Sequence, residues 1–333
     1  VADQRKGGIG WADETWNPVR GCSRVSPECL RCYAEDQALR IARFDRGRGV
    51  PEGQGAYDGL VKAVDGDARW TGKVRFVREH LSDPLRWRRP RRIFVNSMSD
   101  LFHEELTDDQ IAAVFGAMLL APQHTFIVLT KRARRMREWF AQASLTDCVA
   151  CYCVEGGPDV YAGGWELGRK EVLTAVNTGW PASNVWLVVS AGAQPYADQR
   201  IHELLLTPAA VRGVSYEPMI GPLNLESVAA PLASTPGLIN ALSGDFWPAL
   251  GDVELEHERR YELPKLDWVI AGGESGPGHR VMDPAWLASI DEQTRNGGTA
   301  LFVKQDSGHR DGQQGRIPDA IWARKEFPKG GAA

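Results

Sequence analysis

The chain has 333 residues, of which 43% are hydrophobic and 25% charged, and its formal net charge is −4. That length and composition suffice for a large buried core. No long apolar run appears, so no membrane span is expected, and the acidic balance argues against a broadly basic nucleic-acid binder while leaving room for a local basic groove. The 6 cysteines come with no secretory signal, which suits a reducing cytoplasm.

The first informative stretch runs from Trp16 to Glu35, after a short strand. It carries Cys22, Cys29 and Cys32 in the pattern C-x6-C-x2-C, followed by Tyr33. Three thiolates can hold three irons of a 4Fe-4S cluster and leave the fourth open, whereas an electron-transfer cluster normally has four cysteine ligands. A structural zinc site wants four ligands. Here there is one C-x2-C pair plus one cysteine, and no histidine stands close by in sequence. Unliganded thiols are the third reading.

Residues 45–72 are rich in Gly and Asp and read as a loop insertion. Beyond them, short apolar runs end abruptly in polar residues. Ile93–Val95 runs into Asn96 to Asp100, Phe126–Leu129 into Thr130-Lys131, and Val185–Val189 into Ser190. Val211–Ser215 runs into Tyr216-Glu217-Pro218, Trp268–Ala271 into Gly272-Gly273-Glu274, and Leu301–Val303 into Lys304-Gln305. Such runs read as buried parallel strands. Between them lie helical patterns. Thr107 opens one that carries Ile111, Val114, Phe115 and Met118; Asp283-Pro284 opens another, closed by Gly297-Gly298. Strands alternating with helices predict βαβ units, an α/β fold with a parallel sheet whose polar strand tails share one end. The expected organisation is a single domain over residues 1–328, with insertions at about 45–72, 142–182 and 228–264. A disordered tail is expected at 329–333.

Taken together, these motifs resemble a known family. Asn17-Pro18, Gly21-Cys22 and Cys29-x-x-Cys32-Tyr33-Ala34 are similar to the entry motif of radical S-adenosylmethionine (SAM) proteins related to spore photoproduct lyase. A closer resemblance is to uncharacterised three-Cys-motif proteins of phages and bacteria. These carry the stretches found here as Val95–His103, Ser215–Pro218, Gly272–Gly276 and Lys304-Gln305. The resemblance implies a partial parallel β/α (TIM-like) barrel of the radical SAM type, a 4Fe-4S cluster on Cys22, Cys29 and Cys32, SAM cleavage, and a flavodoxin- or ferredoxin-like electron donor. It assigns no substrate. Two departures stand out. The usual first gap is three residues, not six, and no thiol matches the hydrogen-donating cysteine of photoproduct lyase.

On that reading, Tyr33 packs near the adenine; its other role is ordinary core packing. Lys131 pairs with the methionine carboxylate or is a solvated member of the basic run that follows. Ser99 and Asp100 accept from the SAM ammonium, unless Asp100 caps the next helix. Ser190 contacts the ribose. Glu217 and Glu274 bind a hydroxyl, an ammonium or substrate, or pair with an arginine. Gly272 and Gly273 allow close backbone approach to a ligand or simply make a turn. His103 is a substrate-facing acid or base, or a satisfied surface histidine. Cys148, Cys151 and Cys153 are candidates for a second cluster, although their spacing is awkward. The basic runs Arg86–Arg92 and Lys131–Arg137 are compatible with a nucleotide or nucleic-acid substrate or with a solvated face.

Overall fold

The structure is a computed structural model that describes residues 9–155, 180–232, 235–248 and 261–329. It is a mixed α/β protein built on a seven-stranded sheet. The strands are β1 (Glu14–Trp16), β2 (Arg92–Val95), β3 (Thr125–Thr130), β4 (Val185–Ser190), β5 (Val211–Tyr216), β6 (Trp268–Gly272) and β7 (Ala300–Gln305), in that spatial order. The pairs β1–β2, β2–β3, β4–β5, β5–β6 and β6–β7 are parallel. Consecutive parallel neighbours are what a partial β/α barrel requires. All residues of β4 and β6 are buried, as expected of strands covered on both faces.

The chain divides into two compact units, one principally Val1–Thr130 with Gln142–Val185, the other Lys131–Ala141 with Trp186–Gly331. In the first, helix α1 (Tyr33–Gly47) follows the cysteine stretch directly. Its inner residues Ala34, Ala38, Leu39 and Ala42 pack with Tyr57, Leu60, Val61, Ala68, Trp70 and Met98. Several of these belong to a hairpin of Val61–Val64 and Asp67–Trp70, so the Gly- and Asp-rich stretch expected to be only a loop contains a hairpin that completes a small core. Helix α2 (Asp108–Leu119) begins with a capping box formed by Thr107 and Gln110. It is buried from Ile111 to Leu119 and packs against a second helix, Leu145–Glu155. Gly116 permits the close approach, since a Cβ there would collide with the Cys148 carbonyl.

In the second unit, helices Ala133–Phe140, Gln194–Leu205 and Pro284–Gly297 accompany the strands. Asp283 caps the last of these through Ala285 N (2.9 Å), and Gly298, at φ 64°, ends it in the left-handed conformation. The stretch read as an insertion at about 228–264 contains an antiparallel sheet of Val228–Leu232, Thr235–Ile239, Asp245–Pro248 and Tyr261–Glu262. The charged run Glu254–Arg260, most of the 142–182 stretch and residues 330–333 of the tail lie outside the described residues. Among the described residues no helix is long and apolar enough to cross a membrane.

Candidate functional site

The cysteine stretch is held at both ends. On its N-terminal side, Val19–Arg20 pairs antiparallel with Arg75–Phe76, and Gly21 makes a parallel bridge to Ser99. Gly21 adopts φ 89°, and a Cβ there would collide with the Lys73 carbonyl, so glycine is required on both counts. On its C-terminal side, Cys29 closes a 3-10 turn begun by Pro27, and Cys32 is the N-cap of α1. A helix N-terminus favours an anionic thiolate.

The loop that follows β2 grips this stretch. Asn17 exchanges hydrogen bonds with the Ser97 hydroxyl (both 3.2 Å), and its Oδ1 accepts from Met98 N (3.0 Å). The Ser99 hydroxyl donates to the Val19 carbonyl (2.9 Å), and the Tyr33 hydroxyl donates to the Ser97 carbonyl (2.8 Å). Asn96 turns the loop at φ 60°, a conformation that asparagine tolerates better than most residues. Ser99 and Tyr33 are thus both brought to the cysteine stretch, as ties between loops. Tyr33 is exposed rather than packed in a core.

Asp100 is buried. Its Oδ1 accepts from Phe102 N (3.0 Å) and from the Thr130 hydroxyl at the end of β3 (2.7 Å). It shapes a local turn and does not cap α2, which Thr107 does. His103 overturns the expectation of a surface histidine: it is buried, with Nε2 2.9 Å from the Ser23 hydroxyl beside Cys22. Its Nδ1 accepts from Glu105 N (3.2 Å), which leaves the proton on Nε2, facing Ser23.

Arg24, between the first two cysteines, forms a forked pair with buried Glu35 on α1 (Nε to the two oxygens at 3.0 and 3.1 Å), and Glu35 also accepts from Trp70 N (3.0 Å). The Glu35 hydrogen bond raises the Arg24 pKa, with smaller contributions from Cys32 and Cys29. The guanidinium therefore lies within the field of two of the three thiols. Sequence reading missed this pair, because no helical spacing links the two residues.

Cys22, Cys29 and Cys32 form no disulfide and are partly exposed. Among the described residues no group of three or more His, Cys, Asp or Glu side chains is gathered around a single metal ion. A 4Fe-4S cluster asks for something different, one thiolate on each of three separate irons. Here the three thiols lie on one anchored stretch, and two of them add to the raising of the Arg24 pKa.

Cys148 and Cys151 do not resemble a second such stretch. Cys148 is buried, and its thiol is pushed up to about 12, by burial first and by Cys151 and Asp147 next. Cys151 faces Asp109, and burial followed by that carboxylate raises its pKa too. The Cys153 side chain lies outside the described residues.

The candidates of the second unit form their own group. Ser190 is buried and donates to the Glu217 carbonyl (3.3 Å). Glu217 pairs with Lys304 (3.1 Å), and a Cβ on Gly272 would stand 3.0 Å from Glu217 Oε1. Gly273 accepts from the Gln305 amide (2.9 Å), and its own Cβ would collide with Ser307 N. The glycines therefore serve close strand-end packing. Glu274 is buried and committed to Arg280, whose Nη2 lies 2.6 Å from Oε1 and whose Nε lies 3.1 Å from Oε2. This is the arginine pairing, not an open ligand. Lys131 is half-buried directly after β3.

A family model matches residues 6–325, that of the family described as "Protein of unknown function (DUF5131)". The chain belongs to that family. Searches of curated proteins and of solved structures each found no match. Since the match covers nearly the whole chain, the cysteine stretch and both groups of strand-end residues fall inside the family's span.

Proposed function

We propose that this chain is a radical SAM enzyme, its sheet a partial barrel of that type, with Cys22, Cys29 and Cys32 as the three protein ligands of a 4Fe-4S cluster. When bound, such a cluster would supply the single electron that cleaves the sulfonium C–S bond of SAM to methionine and a 5′-deoxyadenosyl radical, which takes a hydrogen atom from a substrate. The observation that carries this reading is the anchoring of the three-cysteine stretch to the loop after β2 by Asn17, Ser99, Tyr33 and the Ser23–His103 bond. Arg24 offsets the negative charge of the thiolates, and Glu35 holds Arg24 in place. Asn17 and Ser99 fix the loop so that ligation costs little further ordering. An external one-electron donor is required, of the flavodoxin or ferredoxin kind.

Anaerobic reconstitution tests the reading. About four irons per chain are expected, with 5′-deoxyadenosine released when the reduced protein meets SAM. Cys29→Ala should lose the cluster, and Cys148→Ala should keep it. Full iron and sulfide content in Cys29→Ala would overturn the assignment.

A further inference from the structure

The two basic runs of the sequence are partly neutralised in the fold, although among the described residues Arg88 and Arg89 are exposed and make no ion pair. Arg91 pairs with Glu14, Arg92 with Asp13, Arg134 with Glu138 and Arg137 with Glu203. A different set of arginines stands out. Arg31, Arg40, Arg43 and Arg48 are exposed, and among the described residues none of them makes an ion pair. All four lie on or beside α1, the helix that Cys32 caps, and Arg31 sits between Cys29 and Cys32.

Apolar surface is interleaved with them. Leu30 is 55% exposed, Tyr33 49% and Phe44 61%. Tyr33, Gln37, Arg40 and Phe44 recur at steps of four, three and four, so they form one stripe along the helix, about 16 Å long. Arg48 extends it, with its guanidinium 5.5 Å from the centroid of the Phe44 ring. Asp36 is the exposed acidic residue of the first turn of the helix. The opposite face of α1 is buried against the hairpin and Met98, so the stripe is surface that the protein's own core does not use. Exposed aromatics set among unpaired arginines are unusual in a chain of net charge −4.

We infer that this stripe is the docking surface for the electron donor, a small acidic redox protein with an apolar patch around its own redox centre. The inference rests on the proposed cluster. Its arguments are charge complementarity and place: the stripe begins within the cysteine stretch itself, at Leu30 and Arg31. A partner seated there brings its redox centre to the thiol end of α1. The exchange moves one electron; the donor's reduced flavin or iron–sulfur centre is oxidised by one equivalent, the acceptor cluster is reduced by one, and no bond forms or breaks. Encounters of this class bury little surface and depend on salt.

The test uses the reconstituted holoprotein with its iron content measured alongside, and a purified flavodoxin as the acidic donor. The Arg40→Glu, Arg43→Glu double variant should raise the dissociation constant at least fivefold at low salt and slow cluster reduction by the flavodoxin. Reduction by dithionite, which needs no docking, should stay unchanged. Phe44→Ala should weaken binding with less change in its salt dependence. Absent iron in wild-type protein sinks the cluster reading itself. Full iron with an unchanged dissociation constant in the double variant overturns the docking surface alone. Loss in that variant of binding to a single-stranded oligonucleotide, or of self-association, with flavodoxin binding intact, also overturns it and reassigns the stripe.

Discussion

The cysteine stretch and the strand-end carboxylates of the second unit look alike in the sequence, as polar motifs next to apolar runs, yet they use their polar atoms in opposite ways. Around the cysteines, side-chain amides and hydroxyls spend their hydrogen bonds on the backbone of a neighbouring loop, and the three cysteines form no disulfide. At β5 and β6 the carboxylates themselves are consumed: Glu274 by Arg280, and Glu217 by Lys304. The first arrangement fixes the position of a loop, while the second closes a strand end. A polar strand tail is therefore a weak guide to a site until its partners are known.

The largest effect that would sharpen this contrast comes from Arg24→Ala. It strands the Glu35 carboxylate, whose side chain is 2% exposed, and breaking such a pair costs about 3–5 kcal/mol. Urea unfolding should show that loss, and iron content after reconstitution should fall with it. Arg280→Ala strands buried Glu274 in the same way. Arg280 and Arg24 are exposed to a similar degree, 31% and 25%, so a comparable loss is expected, about 3–5 kcal/mol, with iron content unchanged. If both variants kept their iron, or both lost it, the distinction between the two regions would collapse.

Asn17→Ala should come next. It removes the acceptor for Met98 N and both bonds with Ser97, a loss of about 1–3 kcal/mol. Cluster retention should fall more than that figure suggests, because the loop loses its register; a variant as stable and iron-rich as wild type would show that the grip is ornamental. The smallest effect is one of pH. Burial lowers the Lys325 pKa to about 8, against the ordinary 10.5, where its amine donates to the Val303 carbonyl and lies over the Trp322 ring. Between those values the unfolded chain holds a proton that the folded chain has released, so stability rises with pH across that window. Lys325→Met should abolish the rise, as denaturation series at several pH values would reveal.

Much of the fold was legible in the sequence. The apolar runs of β2 to β7 announce buried strands because both faces are covered, and Thr107, Asp283 and Gly298 mark helix ends through backbone chemistry that sequence displays. The hairpin Val61–Val64 with Asp67–Trp70 was overlooked although a signal was present. Asp65-Gly66, at φ 52° and 90°, is the dipeptide a tight hairpin turn demands, but the surrounding glycines hid the alternation. The antiparallel sheet after Val228 was obscured by prolines, and Pro231 and Pro236 face each other in its register. The cysteines stood out by spacing. What surrounds them did not, since Arg24–Glu35 and Ser23–His103 join residues that only the folded chain brings together.

The three ties from Asn17 to Ser97, from Val19 to Ser99 and from Ser23 to His103 each span 80 residues. During synthesis the cysteines therefore leave the ribosome well before the residues that will hold them, with their thiols on an unanchored segment. The anchored form of the stretch exists only once β2 and its loop have emerged and paired. Under the proposed cluster reading, metal delivery belongs late in the biogenesis of the chain, and oxidants have the interval before that in which to reach the thiols.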